Sequence, residues 1–206
     1  MFKGKIILTL SFVLLITNNN IVAQTINSAG VTINGVTWAT HNVGESGKFT
    51  ENPEDNGGYF TWVEAQLACP QGWRLPTAEE FRSLIHPSHY RNIVEGRNYT
   101  EFLQVYQLTS SSHLKRIFEG EKNGKVFIFG NNKTNYIFMP AAGYRNNYHN
   151  GILSDAGETG YYWSCTEAEN NYYTYQFSFI RGSHSVAFGD RTNGVSVRCV
   201  ASKLEF

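Results

Sequence analysis

Ala68-Cys69-Pro70-Gln71-Gly72-Trp73-Arg74-Leu75-Pro76-Thr77-Ala78-Glu79-Glu80-Phe81-Arg82-Ser83-Leu84 is the stretch of this 206-residue sequence from which the fold is read. Thr77 and Glu80 spell a capping box, the threonine side chain accepting from the backbone while the glutamate reaches back. Phe81, Leu84 and Ile85 then recur at helical spacing, so a helix with a buried stripe is predicted, ending before Pro87. Trp73 and Leu75 put a large ring and an apolar side chain just ahead of the cap, where they lock the loop onto a core. Upstream, a first helix is predicted from about Trp62 to Ala68, with Val63, Leu67 and Ala68 on its apolar face, stopped by Pro70 and Gly72.

Closer to the N-terminus, Val31 to Trp38 reads as two extended runs about Asn34-Gly35, a dipeptide suited to the positive φ angles of a type I′ turn. Residues 44–58 are polar and rich in turn formers, hence a loop. From His86 to Asn135 the pattern is mixed, with a weak helical stretch near Glu101 to Tyr106 and an extended Val126 to Phe129. Short strands follow at Tyr136–Met139, Tyr161–Ser164, Tyr173–Ile180 and Val195–Val200. In the third, Tyr173, Tyr175, Phe177 and Phe179 share one face. Helices early, strands late and no βαβ alternation predict an α+β class with antiparallel sheets.

Residues 1–23 carry Lys3 and Lys5, an apolar run from Ile6 to Ile16 and a small-residue end at Ala23, the order of a secretory signal peptide. The run is about half the ~20 apolar residues needed to span a bilayer, so no membrane span is expected once it is removed. A linker at 24–30 and a single domain at 31–203 complete the organisation. Bases and acids number 17 each, and loss of the leader leaves 15 against 17. Such balance argues against nucleic acid as a partner. Charged residues make up only 17% and aromatics 15%, with 20 asparagines, so the surface is amide-rich and aromatic rather than charged. Of three cysteines, Cys69, Cys165 and Cys199, one bridge and one odd thiol are expected in an exported chain, and spacing alone leaves three pairings open.

Six motifs stand in order: WATHNVG at 38–44, YFTW at 59–62, ACPQGWRLPTAEEFRSL at 68–84, IFMPAAGYR at 137–145, GYYWSCT at 160–166 and GVSVRCV at 194–200. Together, over about residues 31–201, they resemble the Fibrobacter succinogenes major paralogous domain, a family common in exported proteins of Bacteroidetes. The resemblance implies a C-type-lectin-like domain: two early helices packed on short twisted antiparallel sheets, loop-rich, with its N- and C-termini close together. It also implies a Cys69–Cys199 bridge, because the ACP and RCV motifs carry the family's paired cysteines. Cys165 departs from the family's usual serine and is expected to be an idiosyncratic buried residue. The GWRLPT segment is similar to formylglycine-generating-enzyme-like domains too, but the reactive cysteine pair of that activity has no counterpart.

No nucleophile elbow, HExxH helix or phosphate-cradling loop is present, and the six histidines are scattered, with only His86 and His89 three apart. Neither triplet of the calcium-dependent sugar site of C-type lectins occurs, and Asp155, Glu158 and Glu167 are expected to be solvated. No enzyme, cofactor or metal is therefore expected. Arg145 and Arg198 are read as structural forks satisfying carbonyls or a buried acid. The suggestive surface is Glu167–Asn193, where Asn170, Asn171, Tyr172, Tyr173, Tyr175, Arg181, His184, Arg191 and Asn193 mix rings with adaptable hydrogen-bonding groups, as antibody loops do. The expected function is a secreted, periplasmic or cell-surface binding domain for a glycan or protein. The alternative is a structural or assembly component of an envelope complex.

Overall fold

The computed structural model describes residues 30–85, 103–108, 124–129, 135–180 and 183–202. The leader at 1–23, residues 24–29 of the linker, His86, His89 and Arg181 lie outside the described residues.

Asn34 and Gly35 both take positive φ, 51° and 76°. The two-residue turn they make closes β1 (Gly30–Ile33) onto β2 (Val36–Glu45), with Ile33 opposite Val36. The Asn34 side chain donates to the Ser83 carbonyl at 2.7 Å, which docks the turn against the following helical region. The sheet then grows by antiparallel pairing. β13 (Arg198–Ala201) takes the other edge of β2, β4 (Trp73–Arg74) pairs with β13, and β3 (Lys48–Phe49) folds back on the end of β2. The first hairpin and the last described strand therefore share one sheet.

Two three-stranded antiparallel sheets complete the frame. One is β5 (Leu103–Leu108), β6 (Gly124–Phe129) and β7 (Asn135–Pro140); the other is β10 (Thr159–Glu167), β11 (Tyr173–Ile180) and β12 (Ser183–Asp190). Between them in the chain comes the hairpin of β8 (Tyr144–Asn146) and β9 (Ile152–Ser154).

Helix is confined to α1 (Trp62–Ala65) and α2 (Ala78–Ile85) among the described residues, apart from a 3-10 turn at Asn147–His149. The expected α+β, C-type-lectin-like class is corrected: the described chain is mostly β, and two helices of four and eight residues do not form a layer over the sheets. Both helices start with capping boxes, Thr61 with Glu64 and Thr77 with Glu80, which makes them conspicuous in sequence. Their stops come too soon for length, and the alternating Val, Thr and aromatic segments pair instead.

Two local expectations are corrected as well. The chain leaves α1 after Ala65 and turns through Ala68, so Val63 and Leu67 stand 69% and 82% exposed while Trp62, Ala65 and Ala68 are buried. The Trp62 indole decides this, donating to the Ser164 carbonyl at 3.0 Å from the core side. Residues 103–108, which overlap the stretch read as weakly helical near Glu101 to Tyr106, form β5 and pair in register with β6.

Of the predicted α2 stripe, Phe81 and Leu84 are buried and Ile85 is partly buried. Phe81 packs at 5.2 Å from both Trp38 and Phe177, with Leu84, Met139, Tyr162 and Phe179 in the same core. A second core gathers Trp62, Trp73, Trp163, Val195, Val197 and Cys199. Arg74 braces the α2 cap by a two-pronged pair with Glu80 at 2.9 and 2.6 Å. The Cys69–Cys199 disulfide links the turn after α1 to β13 across 130 residues.

Arg198 is fully buried, and its fork spans two sheets. Nε donates to Asn42 Oδ1 (2.9 Å) and Nη1 to the Ala39 carbonyl (2.9 Å), both on β2, while Nη2 donates to the Phe138 carbonyl of β7 (2.8 Å). Among the described residues no carboxylate pairs with it. Burial brings its pKa down to about 10, and pushes the phenol of its neighbour Tyr162 up to about 12. The Tyr162 hydroxyl donates to the Pro140 carbonyl at 2.7 Å.

Three outcomes are expected in urea denaturation. Arg198→Met, which removes three buried hydrogen bonds to Asn42, Ala39 and Phe138, loses about 3 kcal/mol or more. Arg198→Lys recovers little, because an ammonium on a flexible stem does not reproduce the planar fork. Reducing the disulfide costs about 2–5 kcal/mol, against a chain-entropy ceiling of about 5 for so long a loop.

Candidate functional site

Three loops meet at one end of the β10–β11–β12 sheet: 146–151 at the tip of the β8–β9 hairpin, 168–172 between β10 and β11, and 190–194 after β12. Each is headed by a side chain that accepts from its own backbone, which is why Asn and Asp occupy these positions. Asn146 Oδ1 accepts from the Tyr148 N–H (2.9 Å), Asn170 Oδ1 from those of Tyr172 (3.1 Å) and Tyr173 (3.0 Å), and Asp190 Oδ1 from that of Thr192 (2.8 Å). The loops are also tied together. The Asn147 N–H donates to Asn193 Oδ1 (3.1 Å), the Tyr148 hydroxyl to Asp190 Oδ2 (2.9 Å), and the Arg191 N–H to the Tyr172 carbonyl (3.1 Å).

Strand alternation sorts the side chains beneath these loops. Tyr175, Phe177, Phe179 and the cross-strand Phe188 point to the face that packs α2; Phe188 and Tyr175 lie 4.8 Å apart there. Tyr161, Trp163, Gln176 and Ser178 point to the other face, with Ala187 and Gly189 beside them on β12. On that second face a cleft of about 220 Å³ opens, lined by Tyr144, Tyr161, Gln176, Asn193 and Val195, with Phe188, Gly189 and Asp190 along the β12 side. Tyr144 and Tyr161 meet edge to face at 5.2 Å.

Electrostatics at the mouth centre on Asp190. Burial alone would raise its carboxyl, but hydrogen bonds from the Thr192 hydroxyl and N–H and from Tyr148 hold it below the usual carboxylate range. The same bond and charge raise the Tyr148 phenol. On the β10 side, burial pushes up the Tyr161 phenol, with the Asp155 charge adding to it.

The residues singled out from sequence separate by face and by end. Asn170, Asn171, Tyr172, Tyr173, Arg191 and Asn193 gather at the loop end, and Tyr172 is 79% exposed. Asn193 alone of them lines the cleft. Arg191 is engaged by the fold: its guanidinium lies 4.2 Å over the Trp62 ring, its Nε donates to the Tyr173 carbonyl (3.0 Å) and its Nη2 pairs with Glu167 (3.2 Å). Tyr175 sits on the α2 face under the Arg82 guanidinium. His184 pairs with Phe179 near the opposite end of the hairpin, about 20 Å along the strand from the loops.

Tyr144, Tyr161 and Gln176 were missed by sequence reasoning. The available sign was that, of the polar residues alternating with the rings of Tyr173–Phe179, Gln176 alone carries a long amide side chain between the short Thr174 and Ser178.

Other candidate chemistry is sparse. Glu167 is occupied by Arg191, and among the described residues no three His, Cys, Asp or Glu side chains cluster to hold a metal. Cys165 is the unpaired thiol; burial raises its pKa against the opposing charge of Arg74, so it stays protonated near neutrality. Arg145 is held by the Gly151 carbonyl at 3.0 Å and stacks over Tyr59.

The lowered Asp190 carboxyl sets a sign. Its contribution to loop closure is present above the ordinary carboxylate value of about 3.9 and is lost as pH falls through the lower native value. A carboxyl-carbon NMR titration is expected to show the Asp190 midpoint moving upward in Tyr148→Phe, which lacks one donor.

No curated protein and no solved structure matches the chain. The model of the Fibrobacter succinogenes major domain matches residues 16–201, which takes in every described strand and both helices. By that span the chain belongs to the Fibrobacter succinogenes major domain family.

Proposed function

We propose that the protein is an exported, non-catalytic binding domain that recognises a glycan through the cleft under its three loops. The carrying observation is the pairing of aromatic walls, Tyr144 and Tyr161, with the amides of Gln176 and Asn193 in one concavity. Rings offer a flat apolar face to the C–H side of a sugar, and amides both donate to and accept from hydroxyls. Export is supported by the charged and apolar order of residues 1–23 and by a disulfide of the kind that persists in oxidising compartments. The protonated state of the Cys165 thiol supports binding over nucleophilic chemistry.

A second reading, an assembly component of a surface complex, draws on Val63 and Leu67, whose exposure leaves an apolar ridge beside the disulfide.

A glycan array probed with the oxidised protein separates the two. The first reading expects retention on at least one glycan class, lost in Tyr161→Ala and kept in Tyr161→Phe, with both variants melting as cooperatively as wild type. Stable co-purification with a single envelope protein, abolished by Leu67→Asp and indifferent to Tyr161→Ala, would favour the second.

A further inference from the structure

We propose that the cleft takes one neutral, hydroxylated ring, a single sugar unit of the glycan, and that the carboxamide of Gln176 lying over Gly189 selects it. The inference rests on the glycan-binding reading above and names the chemistry of that site.

Size comes first. A cleft of about 220 Å³ is smaller than the roughly 300–1,000 Å³ of sites for drug-sized ligands, so it holds one ring rather than an oligomer. Beyond the cleft the same sheet face runs on as a low shelf of Ser178, Ser185 and Ala187, over which neighbouring units of a longer chain can lie.

Gln176 is half-buried, and its carboxamide finds no hydrogen-bond partner among the described residues. Asn193 Oδ1 is taken by the Asn147 N–H, which leaves the Asn193 NH₂ to donate into the cleft. Covering these amides with a purely apolar ring would leave them unpaired, weakening binding about tenfold or more relative to a ring with hydroxyls in reach.

Charge excludes the acidic sugars. Among the described residues no lysine or arginine lines the cleft, and Asp190 stands at its edge as a carboxylate already accepting from Thr192 and Tyr148. A uronate would meet that charge with no cation to offset it.

Gly189 is what lets the amide lie where it does. A Cβ there would stand 2.4 Å from Gln176 Cδ and Oε1. The obstructed atoms are the far end of a flexible side chain, so Gly189→Ala displaces the amide without asking the backbone to move.

The test is amide NMR on the oxidised protein, titrated with glucose, galactose, mannose, N-acetylglucosamine, glucuronate and glucosamine. At least one neutral sugar is expected to shift the side-chain NH₂ signals of Gln176 and Asn193 in the millimolar range, with glucuronate weaker. Gln176→Leu and Gly189→Ala should each weaken that sugar about tenfold at unchanged melting temperature. The proposal is overturned if no neutral sugar shifts those signals, if glucuronate or glucosamine binds best, or if both variants bind as wild type does. Loss of array retention in Tyr161→Ala with no effect of Gln176→Leu would keep the cleft and remove the selector. Retention indifferent to Tyr161→Ala would remove the cleft itself.

Discussion

The guanidinium of Arg198 is enclosed by the strands it joins, and among the described residues its charge is met by two main-chain carbonyls and one asparagine oxygen rather than by an acid. A carboxylate partner could have satisfied the charge locally; dispersed dipoles require that β2, β7 and β13 all be in place at once. That demand reaches the recognition end. With β13 fixed, the preceding residues 194–197 bridge to Phe60, Arg145 and Tyr162, and the Val43 N–H donates to the Val197 carbonyl at 3.0 Å. Val195 thus becomes part of the cleft lining by the same placement that buries Arg198. The scaffold and the site are one mechanical unit around a cation that has nowhere else to go.

Local chemistry was legible wherever a few adjacent residues determine the backbone. Asn34-Gly35 specifies its turn, Thr77 and Glu80 their cap, and Tyr173 to Phe179 their strand, because each depends on sterics or hydrogen bonds within a handful of positions. The Cys69–Cys199 bridge is the one that the family resemblance implied. Class was not legible in the same way. Helix caps are compact and stand out, whereas short strands show only weak alternation, so two brief helices carried more weight in the reading than the larger β framework. Val63 and Leu67 illustrate the limit: their spacing looks like a buried stripe, and only the position of the Trp62 indole turns that stripe outward.

The site was legible as a region and not as a set of side chains. Composition pointed to 167–193, and the loop residues do gather there. What strand alternation then does is send Tyr175 and His184 to the α2 side and Gln176 to the cleft side, a partition that depends on which face the sheet packs. The abundance of asparagine also divides. Asn146 and Asn170 shape their own loops, Asn42 receives Arg198, and Asn193 both ties a neighbouring loop and faces the cleft. An amide is suited to all three tasks because it donates and accepts without carrying charge.

Closure by Cys69 and Cys199 also determines how the molecule answers tension. A tug applied at the two chain ends runs down the backbone to position 69, crosses the sulfur bridge and leaves through position 199. Everything between, including Tyr144, Tyr161, Gln176 and the loops above them, sits inside a covalent ring that such a tug does not lengthen. The recognition end is thereby shielded from stretching even when the strands leading to it are peeled away.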